Sequence, residues 1–204
     1  MSRLTLPSLL ASMIIMLAAC GTTPPSDYYV LSARSGDVPT GSSPSLGVGP
    51  VSIPEYLNRN SMVFNRDGNK LEIATYARWA EPIESGISRV LSLNLARNLN
   101  TEDIQVFPWH PGRAPDYAVA VRLLVLDSNN SRAQLVAEWS LRKKDGDAAK
   151  VRRIVRLEEA IGGAELLPED VAEAYSNLLG QLSDRIAKTI ADDMATTPAS
   201  SDPD

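Results

Sequence analysis

The sequence predicts an α+β domain: a single, mostly antiparallel or mixed sheet with two amphipathic helices packed on one face. Three observations carry this. Apolar stripes at helical spacing occur twice, each on one side only. The first is Ile83, Ile87, Leu91, Leu95 and Leu99, widened by Val90; the second is Val171, Tyr175, Leu178, Leu182, Ile186 and Ile190. Period-two alternation occurs in consecutive runs joined by short polar turns, the pattern of a meander. The order is several strands, a helix, more strands and a final helix, with no internal repeat and no domain boundary.

Taken in order, Tyr28-Tyr29-Val30-Leu31 forms a brief first strand, and Ala33 to Ser45 is a Gly/Ser/Pro-rich surface loop. Leu46 to Pro54 is an apolar strand interrupted by Gly47, Gly49 and Pro50. Proline has no amide to donate, so this piece belongs at an edge or beside a bulge. Residues 55–66 read as an irregular link and Arg66-Asp67-Gly68-Asn69 as a tight turn. A strand follows in which Leu71, Ile73, Thr75, Ala77 and Trp79 alternate with Glu72, Ala74, Tyr76 and Arg78. Glu81-Pro82 opens the first helix, where a proline loses nothing because its amide would be unpaired anyway. Ile104 to Phe107 is a strand stopped by Pro108, and 109–115 a loop.

The three longer strands have inward sets Tyr117, Val119, Val121, Leu123, Val125 in the first and Leu135, Ala137, Trp139, Leu141 in the second. The third runs from Val151 to Leu157. Ala118, Ala120, Leu124 and Leu126 fall on the opposite side of the first strand, an apolar second face that suggests a partner or a neighbouring copy. Gly162-Gly163 is a break, Pro168-Glu169-Asp170 starts the last helix, and 195–204 is a disordered acidic tail.

The first twenty residues stand apart. Arg3 supplies a short positive region, and Leu9 to Ala19 is an eleven-residue apolar run broken only by Ser12. A spanning helix needs about 20 residues, so this run has the size of a secretory signal. Leu17-Ala18-Ala19-Cys20 resembles the lipobox of bacterial lipoproteins, in which the cysteine is acylated and the preceding peptide removed. The chain then divides into a signal peptide (1–19), a lipidated tether (20–27), a domain (28–194) and the tail. Several acyl chains, each contributing about 0.8 kcal/mol per buried CH₂, hold stably where one does not. By the lipoprotein sorting pattern, Gly21 after Cys20 favours the inner leaflet of the outer membrane.

Charge and composition exclude much. Loss of residues 1–19 removes Arg3 and no acid, so the formal charge moves from −5 to −6. An acidic product is a poor nucleic-acid binder. One cysteine excludes an internal disulfide framework, and one histidine, His110, excludes a His-rich metal site. No serine lies in G-x-S-x-G, and Gly47-x-Gly49 lacks the third glycine of a dinucleotide loop, which leaves a turn or a bulge. No cofactor or metal and no catalytic residue is expected. Glu81 and Glu84 suit a helix start. The basic cluster Arg142, Lys143, Lys144, Lys150, Arg152 and Arg153 spans a hairpin. It reads either as a solvated turn or as a contact for anionic headgroups or an acidic partner.

Tyr28 to Ser32, the block Gly47 to Arg59 and Arg78-Trp79-Ala80-Glu81-Pro82 together resemble the ABC-type transport auxiliary lipoprotein family over residues 26–192. Asn60 departs from the family, where a proline is common. The resemblance implies a periplasm-facing, non-enzymatic lipoprotein. Its implied partners are an MCE-domain protein with its permease and ATPase, and it would dock or align their lipid conduit at the outer membrane. A homo-oligomeric ring and phospholipid contact belong to the same implication. Pro54, Tyr56, Arg59, Trp79, Glu81 and Pro82 match the family pattern and are expected to define the fold or an interface. The alternatives are a lipoprotein scaffold or activator of envelope assembly, and, third, an enzyme acting on envelope lipid or glycan.

Overall fold

The computed structural model describes residues 24–110, 112–129, 131–144, 146, 149–162 and 166–196. Among these residues, eight strands and two α-helices follow one another as β1 (Asp27–Tyr29), β2 (Leu46–Ser52), β3 (Ser61–Asp67), β4 (Lys70–Trp79), α1 (Ile83–Asn98), β5 (Ile104–Val106), β6 (Tyr117–Ser128), β7 (Arg132–Lys143), β8 (Val151–Ala160) and α2 (Pro168–Thr196). The α+β class holds, with both helices on one face of the larger sheet. That sheet has the order β5-β2-β6-β7-β8, parallel from β5 to β6 and antiparallel beyond.

The strands divide over two sheets rather than forming one. β1, β4 and β3 make a second sheet, with β1 parallel and β3 antiparallel to β4. The reason is the tight turn at 66–69. A hairpin turn needs a strand on each side, so Ser61–Asp67, read from sequence as an irregular link, becomes β3 and satisfies β4 along that edge. β1 satisfies the other edge, and no edge of β4 is left to join the larger sheet.

Inward residues of β6, β7 and β8 alternate as the period-two pattern requires, with Val119, Leu135 and Leu141 fully buried. They meet the stripes of α1 (Ile87, Val90, Leu91, Leu95) and α2 (Leu178, Leu182, Ile186, Ile190), all fully buried as well. One expectation changes in β6. A register shift between Leu123 and Val125 inserts a bulge that reverses the alternation. Leu126 and Ser128 therefore turn inward. The outer face keeps Ala118, Ala120, Arg122 and the exposed Leu124 opposite Glu138, Ser140 and Arg142, and is more polar than the unbroken alternation implies. A second shift, between Val48 and Val51, puts Gly49 and Pro50 in a bulge, while Gly47 stays paired with Ala118.

Candidate functional site

The family-pattern residues gather where the two sheets and α1 meet. Pro54 precedes a one-turn 3-10 helix (Glu55–Leu57) that buries Leu57. This turn lays Tyr56 against the bulged end of β6. Its phenol accepts from the Leu126 amide at 3.3 Å and lies 3.5 Å from the Leu126 carbonyl, and burial raises its pKa. Trp79 ends β4 with its amide donating to the Asn60 carbonyl at 2.6 Å. Its buried indole stacks on Tyr175 of α2 at 6.3 Å. Glu81 folds back over the first turn of α1 and accepts from Arg89, which also donates to the Leu31 carbonyl at 2.9 Å. Pro82 caps α1, its carbonyl accepting from the Gly86 amide at 3.1 Å. Five of the six residues thus build a joint between β1, β4, α1, α2 and β6, while Arg59 stands outside it, exposed.

The basic cluster is not one patch. Strand alternation sends Arg142 and Arg152 to the helix-free face, where with Lys144 they rim an open cleft of about 470 Å³. Its floor is Pro50, Ala118, Ala120 and Ser140, and its wall is Phe107 edge-on to Trp109 at 5.2 Å. Lys143 also lines this cleft, while its ammonium lies over the Tyr117 ring, and it and Lys150 converge on Asp193 of α2. Arg153 joins a separate groove beside Trp139, Arg185 and Asp192.

Asp193 is the buried acid that sequence reading missed. Its carboxylate accepts from the Tyr117 hydroxyl at 2.9 Å and from Lys150, with Lys143 at 3.6 Å. A carboxylate near a helix C-terminus opposes the helix dipole, and the two ammonium groups offset that. The Lys150 hydrogen bond outweighs burial and, helped by Tyr117 and Lys143, holds the Asp193 carboxyl below its ordinary range. Burial first, then the bond to Asp193, pushes Tyr117 up to about 12. A depressed carboxyl stabilises the fold above its unfolded value near 3.9 and loses that contribution as pH falls through the folded value. A raised phenol stabilises below about 10 and loses its contribution as pH rises through the folded value. Asp193→Asn is expected to cost about 1.5–3 kcal/mol at pH 7. Urea unfolding at pH 7 and pH 3 should show the difference from the native chain narrowing at the lower pH.

A second concavity, about 580 Å³, lies between α1 and the β2/β5 edge. Val48–Val51, Ser88, Ser92, Leu93, Val106 and Phe107 line it. Leu93, Val106 and Phe107 are large apolar side chains exposed at its mouth. Leu93 sits off the α1 stripe, and that was its only sequence signal. His110 is exposed and accepts a local bond from the Gly112 amide at 3.1 Å. Among the described residues no group of three or more His, Cys, Asp and Glu could hold a metal ion. Cys20, the expected lipidation site, and residues 197–204 of the expected tail lie outside the described residues.

The family model for the ABC-type transport auxiliary lipoprotein component matches residues 29–187. The chain belongs to that family. It is accordingly a non-enzymatic lipoprotein accessory to ABC-type transport, anchored in the cell envelope. Its fold is similar to the crystal structure of an uncharacterized protein at 20% identity and a TM-score of 0.66, covering 82% of this chain and 99% of that one. It is equally similar, at 15% identity and 0.66, to a protein from Xanthomonas campestris, with 84% and 100% covered. Among curated proteins none matches.

Proposed function

We propose that this auxiliary lipoprotein is acylated at Cys20 and retained at the inner leaflet of the outer membrane. There it docks or aligns the end of an MCE-domain conduit that carries phospholipid or a related lipid, in company with a permease and an ATPase. Family membership supports the transport role, and Gly21 supports the outer membrane. The structural observation that carries docking is the groove between α1 and the β2/β5 edge. It presents Leu93, Val106 and Phe107 to solvent around one concavity, and exposed apolar groups gathered at a concavity mark an interaction site. Self-association into a ring would give several such grooves around one conduit. Pro54, Tyr56, Trp79, Glu81 and Pro82 serve this role by holding the fold, and Arg59 is the family-pattern residue placed to contact a partner.

Crosslinking in intact envelopes followed by pull-down tests the reading. An MCE-domain protein should be captured, and Leu93→Glu with Phe107→Glu should reduce its yield at least several-fold while Ile154→Glu on the outer sheet face leaves it unchanged. Capture of a wall synthase or an assembly machine in its place would favour the scaffold alternative and overturn the proposal.

A further inference from the structure

We infer that the cleft on the helix-free face of the larger sheet binds the headgroup of an anionic glycerophospholipid. Its phosphate would meet Arg142, Lys144 and Arg152, and its glycerol and first acyl carbons would lie along Phe107 and Trp109. This goes beyond docking at the groove beside α1 and does not depend on it. Floor and rim lie on one face of the sheet. Ala118 pairs with Arg142, Ala120 with Ser140, and Ser140 with Arg152, so each row of the floor ends in a cation on the same side. Alanine and serine in these rows leave a depression of about 470 Å³, inside the range of about 300–1,000 Å³ usual for small-molecule sites. The opposite wall is apolar, with Phe107 48% exposed and edge-on to Trp109. That wall is fixed, because the indole lies against bare backbone at Gly47, where an added Cβ would stand 2.9 Å from the Trp109 ring.

The charge of this region suits an anion. Residues 142–153 set six Lys and Arg against Asp145 and Asp147, in a chain whose formal charge is −5. Lys143 and Lys150 are drawn to Asp193, whereas Arg142 and Lys144 make no ion pair with another described residue. Glu138, two residues from Ser140 on the same face, is shared by Arg122 at 3.3 Å and Arg152 at 3.9 Å, two cations to one carboxylate. Asp116 is turned to the Ser45 amide, from which it accepts at 3.0 Å. A guanidinium offers phosphate oxygens a planar fork of donors, and an ammonium beside it adds a point charge. The unlike walls decide the ligand. An acidic protein segment or a free phosphate would satisfy the cations and leave the aromatic wall in water. A glycerophospholipid carries a phosphodiester and hydrocarbon within a few bonds of each other, and a lipoprotein anchored in the envelope has such molecules beside it.

Photocrosslinking of the full chain in intact envelopes, from cells fed radiolabelled phosphate, tests this. The photoreactive group is introduced as Trp109→p-benzoylphenylalanine, with Ala114→p-benzoylphenylalanine as a second position in the cleft. Leu124→p-benzoylphenylalanine, exposed on the same face outside the cleft, is the comparison. Light should attach label at 109 and 114 several-fold more than at 124, with the adduct mass of a glycerophospholipid. The acyl anchor holds no phosphorus and contributes no label. Arg142→Gln with Lys144→Gln should lower labelling several-fold, whereas Arg156→Gln, which removes a cation of the same face outside the cleft, should not. Absence of label at 109 and 114 would overturn the proposal, since a free phosphate has no C–H bond for the excited ketone to enter. A protein adduct in its place would assign the cleft to an acidic partner and overturn it equally. Equal labelling at 124, or labelling indifferent to Arg142 and Lys144, would do the same. Capture of the MCE-domain protein should survive Arg142→Gln with Lys144→Gln, so a failure of docking and a failure of lipid binding are read separately.

Discussion

Replacing Trp79 with alanine is expected to lower the unfolding free energy by about 3–5 kcal/mol, the usual cost of truncating a buried large aromatic. Trp79 is 5% exposed and ends β4 at the point where the small sheet meets α2. Truncation removes the stack on Tyr175, and such pairs contribute about 0.5–1.5 kcal/mol beyond burial alone. The cavity cannot close easily. The Trp79 amide is held by Asn60, Ala80 donates to the Tyr29 carbonyl at 2.9 Å, and Tyr175 is pinned in α2. Equilibrium urea unfolding measures the effect. Against a total of about 5–15 kcal/mol for a domain, this loss is a large fraction of the stability. Tyr175→Phe supplies the contrast. It removes only a hydroxyl 3.4 Å from Ser128 Oγ, and should cost about 1 kcal/mol. If Trp79→Ala also costs only about 1 kcal/mol, the joint is not where the two sheets are fastened.

How much of this was legible in the sequence depends on how local the cause is. Both helices were readable because their stripes repeat at the helical period and Pro82 and Pro168 mark the starts. β3 was not, since Ser61–Asp67 is short and follows the polar Asn58-Arg59-Asn60. Only the turn at 66–69 required it. The inward turn of Leu126 was hidden too, because a bulge depends on the partner strand and leaves no mark in one strand's alternation. The basic cluster shows the opposite case. Arg142 and Lys143, or Arg152 and Arg153, are neighbours in a strand and so must face opposite sides, and the division of the cluster was available from period two alone. For the functional surfaces, Cys20 was legible as a motif. The groove beside α1 was not, because Leu93, Val106 and Phe107 are brought together only when β5 docks on β2.

Gly49→Ala is the second substitution expected to have a large effect, and it tests that docking. Gly49 has φ of +127°, a conformation that side chains rarely adopt. Holding alanine there costs about 1–3 kcal/mol. A Cβ would also stand 2.4 Å from Phe107 Cβ and 3.5 Å from the Phe107 amide nitrogen. Phe107 cannot recede freely, since its amide donates to the Val48 carbonyl at 3.0 Å and closes the β5–β2 ladder. Moving it gives up a bond whose net contribution is about 1 kcal/mol. The total loss is therefore about 2–4 kcal/mol from strain and bond together. Gly68→Ala separates the two causes. Its φ is +58° with nothing within 4 Å of the added Cβ, so only the left-handed backbone cost of about 1–2 kcal/mol remains. Displacement of Phe107 also reshapes the groove on one side and the Phe107–Trp109 wall of the basic cleft on the other. Gly49→Ala should therefore weaken partner capture beyond what its unfolding alone explains, whereas Gly68→Ala should leave capture intact. Equal costs for the two substitutions would mean that β5 yields at Phe107, and that the edge of the larger sheet adapts to its partner instead of presenting a fixed surface.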